Sequence, residues 1–430
     1  MRRRHSIIGL FAPALVCLVV AAGCARTESG RRTITYSFWG TPEQQKTELA
    51  VIRAFEAAHP GVRVVPRPVP GAVPRYNDKL QAMFVGQVAP DVVMIEMSRY
   101  DDWASRGVLA DISDDVEELA RSYDMMPVVR QAFARDGRFY AAPINAHAQA
   151  MFYNREALAA AGVEAPAEGF TWEELLTLAP RLARHAGASG AVTDYAFQLP
   201  PPTILFWAFG GRLFDDLYQP QRATVNSPGG AAAVRFMRRA LATDAVLPPD
   251  IGALASDTGT YQLFRDGRVA LFVSGRWMTP DFMGIRNFTW DVLPIPAGPA
   301  GRISQHGGTA LGVWRGSREP ELARAFVRFY ASPEGVRLTM AGRRYVPVYR
   351  RMAFSEEFLR LTPPESLAVF SRSMEAGAAL NYLYAPGYSD VKRLFDAAME
   401  KAIIRTDLAP EAILAELEQE LNRWLKQNQR

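Results

Sequence analysis

Three kinds of side chain in this sequence have the chemistry to bind a polyhydroxylated molecule. Trp39 ends the first predicted strand, and Glu96 directly follows the third. Trp277, with Arg276 beside it, follows a strand predicted over 269–273. An indole offers a broad apolar face with one polar edge, a carboxylate accepts hydrogen bonds, and a guanidinium donates them in pairs. Such groups suit the C–H faces and the adjacent hydroxyls of a sugar.

Catalytic and metal-binding motifs do not occur in the sequence. There is no Gly-x-Ser-x-Gly nucleophile elbow, no Gly-x-x-x-x-Gly-Lys phosphate loop and no zincin motif. No His-x-x-x-His or Cys-x-x-Cys spacing is present, so we expect neither a metal site nor a cofactor. A secreted glycan-degrading enzyme remains an alternative, because it needs only two carboxylates placed across a cleft.

Composition excludes a nucleic-acid partner. The net charge of +4 falls to about +1 once the basic cluster Arg2–Arg4 is set aside, and no run of basic residues is interleaved with aromatic ones. The 430 residues predict two or three domains, and 49% hydrophobic residues are typical of a folded protein.

The amino terminus has the form of a bacterial secretory signal that ends at a lipid attachment site. Basic Arg2–Arg4 precede an apolar stretch over 7–22, and small residues stand directly before Cys24. We predict a signal peptide over 1–23, acylation of Cys24 and a polar tether over 24–32. Plain secretion and an uncleaved anchor are the alternatives, although the apolar stretch is shorter than the roughly 20 residues that a bilayer requires.

Alternating strands and helices begin directly after the tether. The predicted order is strand 33–39, helix 42–59, strand 62–65, helix 76–85 and strand 91–95. This order is typical of a parallel α/β sheet, in which ligands bind at the carboxyl ends of the strands.

Further elements follow along the chain. Strands are predicted over 149–153, 269–273, 290–294 and 310–314, and helices over 171–185, 227–243, 259–266, 319–330, 334–341, 391–404 and 410–427.

Several segments together resemble the family 1 extracellular solute-binding proteins, the group of maltose-binding and other sugar-binding proteins. The resemblance covers about residues 33–425 and depends on the order and spacing of the segments. They are Phe38-Trp39-Gly40, Tyr76–Leu80, Ala89–Val93, Tyr140–Pro143, Phe152–Asn154, Thr171–Leu175, Phe264–Ala270, Gly275–Trp277, Gly307-Gly308 and Ser332–Gly335.

The resemblance implies a two-lobe α/β periplasmic-binding-protein fold of type II, with a ligand cleft between the lobes. The hinge would consist of about three crossing segments, near 143–147, 293–296 and 344–347. The implied lobes are 33–143 with 297–344, and 144–296 with 345–430.

It also implies the function. The protein would be the extracytoplasmic, lipid-anchored and monomeric solute-binding component of an ABC importer, and would deliver a sugar or oligosaccharide to the membrane permease without being an enzyme. A polyol or glycerol phosphodiester is the alternative ligand class, and a sensor kinase is an alternative partner.

Ten residues are candidates for ligand contact under this resemblance. They are Trp39, Glu96, Asn145, His147, Trp207, Arg276, Trp277, Gly307, Gly308 and Arg344. Trp277 lies where the family commonly places a stacking aromatic residue. His147 lies where the maltose-binding branch carries an acid, which argues against a maltodextrin ligand. For Trp207 the alternative is core packing, and for the two glycines it is a simple turn.

Overall fold

The computed structural model describes residues 31–70, 73–186, 190–251, 259–375 and 385–428. The predicted signal peptide and Cys24 lie outside the described residues. The first strand begins at Arg32, which the sequence had assigned to the tether. The reason is a backbone hydrogen bond of 2.9 Å from Arg32 to Gly61 on the neighbouring chain segment.

The strands of the described residues are β1 (Arg32–Trp39), β2 (Val62–Val69), β3 (Val92–Glu96), β4 (Ala142–His147), β5 (Gln149–Asn154), β6 (Arg184–Ala186), β7 (Ala191–Gln198), β8 (Val246–Leu247), β9 (Val269–Gly275), β10 (Trp290–Leu293), β11 (Ala297–Gly298), β12 (Gly301–Arg302) and β13 (Gly307–Val313).

The helices are α1 (Pro42–Ala58), α2 (Val73–Val85), α3 (Met97–Ser105), α4 (Ser113–Tyr123), α5 (Pro127–Ala132), α6 (Arg155–Ala160), α7 (Trp172–Leu182), α8 (Pro202–Ala208), α9 (Pro228–Leu241), α10 (Thr260–Arg265), α11 (Thr279–Phe282), α12 (Pro320–Ala331), α13 (Pro333–Met340), α14 (Arg350–Ala353), α15 (Glu356–Leu359), α16 (Ala368–Glu375), α17 (Tyr388–Ile404) and α18 (Pro410–Asn428), with a 3₁₀ turn over Arg276–Met278.

The first sheet has the order β2-β1-β3-β13-β4 within the described residues. β1 runs parallel to β2 and β3, as the alternating pattern predicts, whereas β13 runs antiparallel to β3 and β4. Helix α1 begins where predicted, because Thr41 and Gln44 form a reciprocal capping box and Pro42 occupies the first turn. We call this sheet and the helices packed on it the first lobe.

The second sheet has the order β10-β5-β9-β7-β6, and β8 pairs with β7. β5 runs antiparallel to β10 and β9, and β7 runs parallel to β9. Helices α7, α9, α17 and α18 cover it through a buried cluster that includes Leu175, Val234, Phe395 and Leu417. We call this group the second lobe.

The chain passes between the sheets beside His147. Ala148 alone separates β4 in the first sheet from β5 in the second, so the first predicted crossing lies at the end of β4. The predicted third crossing pairs with it, since Val346 forms an isolated bridge with Ala146. Between β10 and β13 the chain first forms the β11–β12 hairpin and then returns to the first sheet.

The segment after the third crossing associates with the first lobe. The sequence assigned all of 345–430 to the second lobe, but the backbone N–H of Met126 donates to the carbonyl of Val348 at 3.0 Å, and the hydroxyl of Tyr349 donates to the carbonyl of Ala331 in α12 at 2.5 Å. These hydrogen bonds to the first lobe explain the difference. Within the described residues no helix is long and apolar enough to cross a membrane.

Candidate functional site

A cavity of about 660 Å³ lies between the two lobes. It is reached from the carboxyl ends of β1, β3, β4 and β9, where Trp39, Glu96, His147 and Trp277 follow or end the strands. Arg344, from the third crossing, completes the part of its wall that the sequence predicted. The strand-end rule therefore places four candidate residues around one space, and the third crossing adds Arg344 as the fifth.

One part of the cavity wall is aromatic. The indole of Trp277 folds back over Gly275, where any Cβ would overlap it. The imidazole of His147 lies edge-on to this indole, with ring centroids 5.0 Å apart and an interplanar angle of 79°. Tyr345 is a further ring on this wall, 6.4 Å from His147. This arrangement leaves an apolar surface of the kind on which a sugar ring stacks.

His147 is neutral near neutral pH. Burial lowers the pKa of its imidazole to about 4, and His306 contributes through charge repulsion. Burial also lowers the pKa of His306 to about 4, and its Nε2 lies 3.0 Å from the carbonyl of Ser373. A neutral imidazole has one donor and one acceptor nitrogen, which suits a hydroxyl group better than an ion.

Glu96 combines a place in the cavity wall with a structural task. It is the N-cap of α3, and its carboxylate accepts a hydrogen bond of 3.2 Å from the backbone N–H of Ser98 and another from the Ser98 hydroxyl. Burial raises the pKa of the Glu96 carboxyl above its usual value, although both hydrogen bonds oppose that shift. Trp39 packs in the wall against Tyr76, with ring centroids 5.1 Å apart.

Arg344 and Arg276 occupy different environments. Arg344 lines the cavity, and its Nη1 donates to the carbonyl of Trp277 at 3.2 Å. Arg276 was predicted to donate to ligand hydroxyls, but its side chain is fully buried behind the wall. Its Nη1 donates to the carbonyl of Tyr345, and its guanidinium carbon lies 4.6 Å from the ring centroid of Phe358. Burial lowers the pKa of Arg276 to about 9, so it remains charged.

Two glycines act on neighbouring chain rather than on a ligand. A Cβ on Gly307 would overlap the His147 ring, and one on Gly308 would lie 2.7 Å from the carbonyl oxygen of Asn145. The sequence predicted that these glycines let backbone approach a ligand. Instead they allow β13 to approach β4, with His147 standing over Gly307.

Asn145 and Trp207 do not line the cavity. Asn145 is buried, and its Oδ1 accepts from the backbone N–H of Thr309 at 3.1 Å, so it positions a wall residue. Trp207 is fully buried in the second lobe's cluster. The alternative of core packing is the correct one for Trp207, because every residue of α8 is buried.

Several wall residues were missed by the sequence analysis. They are Gln44, Val73, Asn77, Asp78, Ser98, Arg99, Thr309, Tyr388, Ser389 and Lys392. Arg99 lies in the first turn of α3, shortly after Glu96 at the end of β3. Its position close to this strand end could have identified it as a candidate for ligand contact. Tyr388 and Lys392 come from a tail that carried no such signal.

Two wall residues present buried polar atoms without partners. Asn77 Oδ1 and Thr309 Oγ1 form no hydrogen bond with any described residue. A buried polar atom left unpaired costs roughly 1–3 kcal/mol, so each of these oxygens is a candidate to accept or donate a further hydrogen bond. Both residues contribute to the cavity wall.

Two sheets joined by crossing segments, with a cavity at their strand ends, define a two-lobed α/β binding protein. Residues 39–337 match the family model described as bacterial extracellular solute-binding protein. The chain therefore belongs to the bacterial extracellular solute-binding proteins.

Sequence and structural relatives agree with that membership. The chain is 24% identical over 265 residues to an arabinooligosaccharide-binding protein of Halalkalibacterium halodurans, covering 59% of this chain and 57% of the relative. It is 25% identical over 334 residues to a lipoprotein of Streptomyces antibioticus, covering 76% and 73%.

An ABC substrate-binding protein of Listeria monocytogenes, solved in complex with cycloalternan, superposes with a TM-score of 0.78 at 22% identity. The superposition covers 92% of this chain and 99% of that protein. The likeness confirms the predicted two-lobe fold.

Proposed function

We propose that this protein is the solute-binding component of an ABC importer and that its ligand is a sugar or oligosaccharide. The observation that carries the proposal is the composition of the cavity wall. The half-buried indole of Trp277 lines the same space as Asn77 and Thr309, whose side-chain oxygens are buried without partners among the described residues. Apolar C–H faces and hydroxyl groups occur together on a sugar, and each would find its partner here.

The relatives support this choice of ligand class. The H. halodurans relative is named for binding arabinooligosaccharides, and the Listeria protein was solved in complex with cycloalternan. The neutral imidazole of His147 and the guanidinium of Arg344 add hydroxyl partners on the aromatic wall.

The ligand is released unchanged in this proposal. Among the described wall residues only Asp78 and Glu96 carry carboxylates, and Glu96 is engaged in capping α3. A glycosidase needs one carboxyl group as acid and a second as nucleophile or base on opposite sides of the scissile bond. Asp78 and Glu96 both belong to the first lobe, which does not favour that arrangement.

Closure of the lobes around the ligand is the second part of the proposal. Contacts from both lobes to one ligand favour the closed state, and the importer would recognise that state. In the structure Asp102 of α3 accepts a hydrogen bond of 2.9 Å from the backbone N–H of Gly387, directly before α17. Such a contact between the lobes would stabilise closure.

The protein acts outside the cytoplasm, as a monomer held to a bacterial membrane through Cys24. The sequence over 1–24 supports the anchor, and a relative is a lipoprotein. We expect Cys24→Ser to move the protein from the membrane fraction to the soluble extracytoplasmic fraction and to abolish palmitate labelling. Unchanged labelling would contradict acylation at Cys24.

Calorimetric titration tests the main proposal. Protein starting at residue 25 would be titrated with pentoses, hexoses, their oligosaccharides, polyols and glycerol phosphodiesters. We expect one saccharide class to bind at one site and Trp277→Ala to abolish that binding, while Trp314→Ala, outside the cavity, retains it. Equal binding by both variants would remove the site assignment, absence of any saccharide binding would remove the sugar, and recovery of a cleaved ligand would favour an enzyme.

A further inference from the structure

A second cavity of about 540 Å³ lies on the far side of the contact between α3 and α17. We call it the outer cavity. The first lobe contributes Asp102, Ser105 and Arg106 to its wall, and the second lobe contributes Gln221 and Trp424. Because both lobes form it, an occupant would touch both, as a ligand in the cleft does.

The outer cavity and the cleft share part of their walls. Arg99 and Ser389 line both spaces. Nη1 of Arg99 donates to the hydroxyl of Ser389 at 3.0 Å and to Asp102 at 3.1 Å. The boundary between the two spaces at this point is therefore a hydrogen bond between side chains. Rotation of the long Arg99 side chain would join the cavities without moving a helix.

The residues of the outer cavity repeat the chemistry of the cleft. Trp424 is half-buried, and its Nε1 is buried without a hydrogen-bond partner among the described residues. Arg106 is exposed; its backbone N–H donates to the carbonyl of Ala104 at the end of α3, and its guanidinium forms no ion pair with a described residue. Asp102 and Gln221 add planar acceptors and donors. An aromatic ring surrounded by planar polar groups is again suited to a sugar unit.

We propose that the outer cavity is a second binding region of the cleft, and that the ligand is an oligosaccharide whose chain passes Arg99 and occupies both spaces. The inference rests on the proposed function. The outer cavity is nearly as large as the cleft, so it accommodates a similar length of chain. A monosaccharide would leave it empty.

Ligand length is the variable that tests the proposal. The whole mature protein would be titrated with linear α-1,5-arabino-oligosaccharides and α-1,4-gluco-oligosaccharides, from disaccharide to hexasaccharide. We expect the dissociation constant to fall about tenfold or more between the shortest and the longest members of the series that binds. Equal affinity at every length would overturn the proposal and leave the proposed function intact, whereas absence of binding both in these series and across the saccharides of the wider titration would overturn both.

Substitutions in the outer cavity test whether the increase in affinity for longer oligosaccharides arises there. Ser105→Trp fills the outer cavity from an exposed helix end, and Arg106→Ala removes a donor from its wall. We expect both variants to bind the shortest oligosaccharide with wild-type affinity. For longer oligosaccharides, they should lose part or all of the increase in affinity that the wild type shows. Arg121→Ala, at an exposed arginine of α4, is the control and should keep the wild-type increase in affinity with oligosaccharide length. Retention of the full gain by both test variants would contradict the assignment.

Discussion

His147 holds its position beside Trp277 because the residue beneath it has no side chain. Gly307 pairs with His147 across β4 and β13, and its missing Cβ leaves the space that the imidazole occupies. The ring orientation on the aromatic wall thus depends on a glycine that need not touch the ligand. Its backbone has no positive φ, and the nearest atoms that an alanine Cβ would meet are those of the His147 ring.

We expect Gly307→Ala to weaken ligand binding about tenfold, close to 1.4 kcal/mol, because the new methyl group displaces the imidazole from the Trp277 edge. Calorimetric titration would measure the loss. Gly284→Ala is the matched control, since its nearest neighbour would lie 3.3 Å away and outside the cavity. Equal affinity in both variants would mean that the His147 orientation has no part in binding.

Glu48 is a buried acid in the first lobe, away from the cavity wall. Its carboxyl accepts hydrogen bonds from the hydroxyls of Tyr36 at 2.8 Å and Tyr330 at 2.9 Å. Burial raises the pKa of Glu48 to about 7, although both hydrogen bonds oppose that shift. In the unfolded chain the pKa of a glutamate is about 4.3, so between these values the folded protein binds a proton that the unfolded chain does not.

The free energy of unfolding should therefore fall as pH rises from about 4.3 to about 7, by roughly 3 kcal/mol from this group. Glu48→Gln should remove that part of the pH dependence, because an amide accepts the same hydrogen bonds without titrating. Urea unfolding between pH 5 and pH 8 measures it. Glu118→Gln, at an exposed residue of α4, should keep the wild-type slope. An unchanged slope in Glu48→Gln would refute the assignment.

Helix α7 illustrates how the capped start of one helix determines which of its side chains pack into the core. Its N-terminus is fixed by a capping box, in which Thr171 accepts from the backbone N–H of Glu174 at 3.2 Å and Glu174 accepts from that of Thr171 at 2.7 Å. The helix then packs Trp172 and Leu175 into the second lobe's core. The cap sets the start of the helix, and the start decides which side chains face inward.

Thr171→Ala should lower the free energy of unfolding by about 1 kcal/mol, since it leaves backbone donors of the first turn unpaired. Chemical denaturation gives the difference. Thr177→Ala is the control within the same helix, because its hydroxyl bonds only to the carbonyl of Glu173 on an exposed surface, and we expect a change within about 0.5 kcal/mol. Ligand affinity should remain unchanged in both.

At the scale of the whole molecule, helix α3 connects the cleft, the outer cavity and the second lobe. Glu96 at its start faces the cleft, Arg99 lies between the cleft and the outer cavity, and Asp102 binds the second lobe through Gly387. A ligand that contacts Arg99 therefore touches the same helix that holds the lobes together. Under the proposed function, this arrangement would link occupancy of the cleft to closure of the lobes.

We expect Asp102→Ala to shift the lobes toward an open arrangement, because the Gly387 N–H loses its acceptor and Arg99 loses its carboxylate. Small-angle X-ray scattering of the unliganded variant should give a larger radius of gyration, and ligand dissociation should become faster. Asp114→Ala, at an exposed residue of α4, is the control. An unchanged radius and an unchanged dissociation rate would show that this contact does not govern closure.

The sequence predicted the wall of the cleft where a local pattern or the family resemblance marked it. Trp39, Glu96 and Trp277 each lie at or just after the end of a strand with a clear signature, and all three line the cavity. Asn77 on α2 and Tyr388 at the start of α17 were missed, because they reach the cavity through the packing of whole helices. Their ligand-binding roles, like those of the predicted residues, stay predictions until they are tested.

The sequence by itself determined the alternation of strands and helices, the capped helix starts and the family resemblance, because each depends on neighbouring residues or on their order. Only the tertiary structure decided which polar and aromatic side chains reach the cleft. Trp207 and Arg276 carry the same groups as Trp277 and Arg344, yet they are buried away from it. Burial depends on segments far apart in the chain that meet on folding, and no local pattern contains that information.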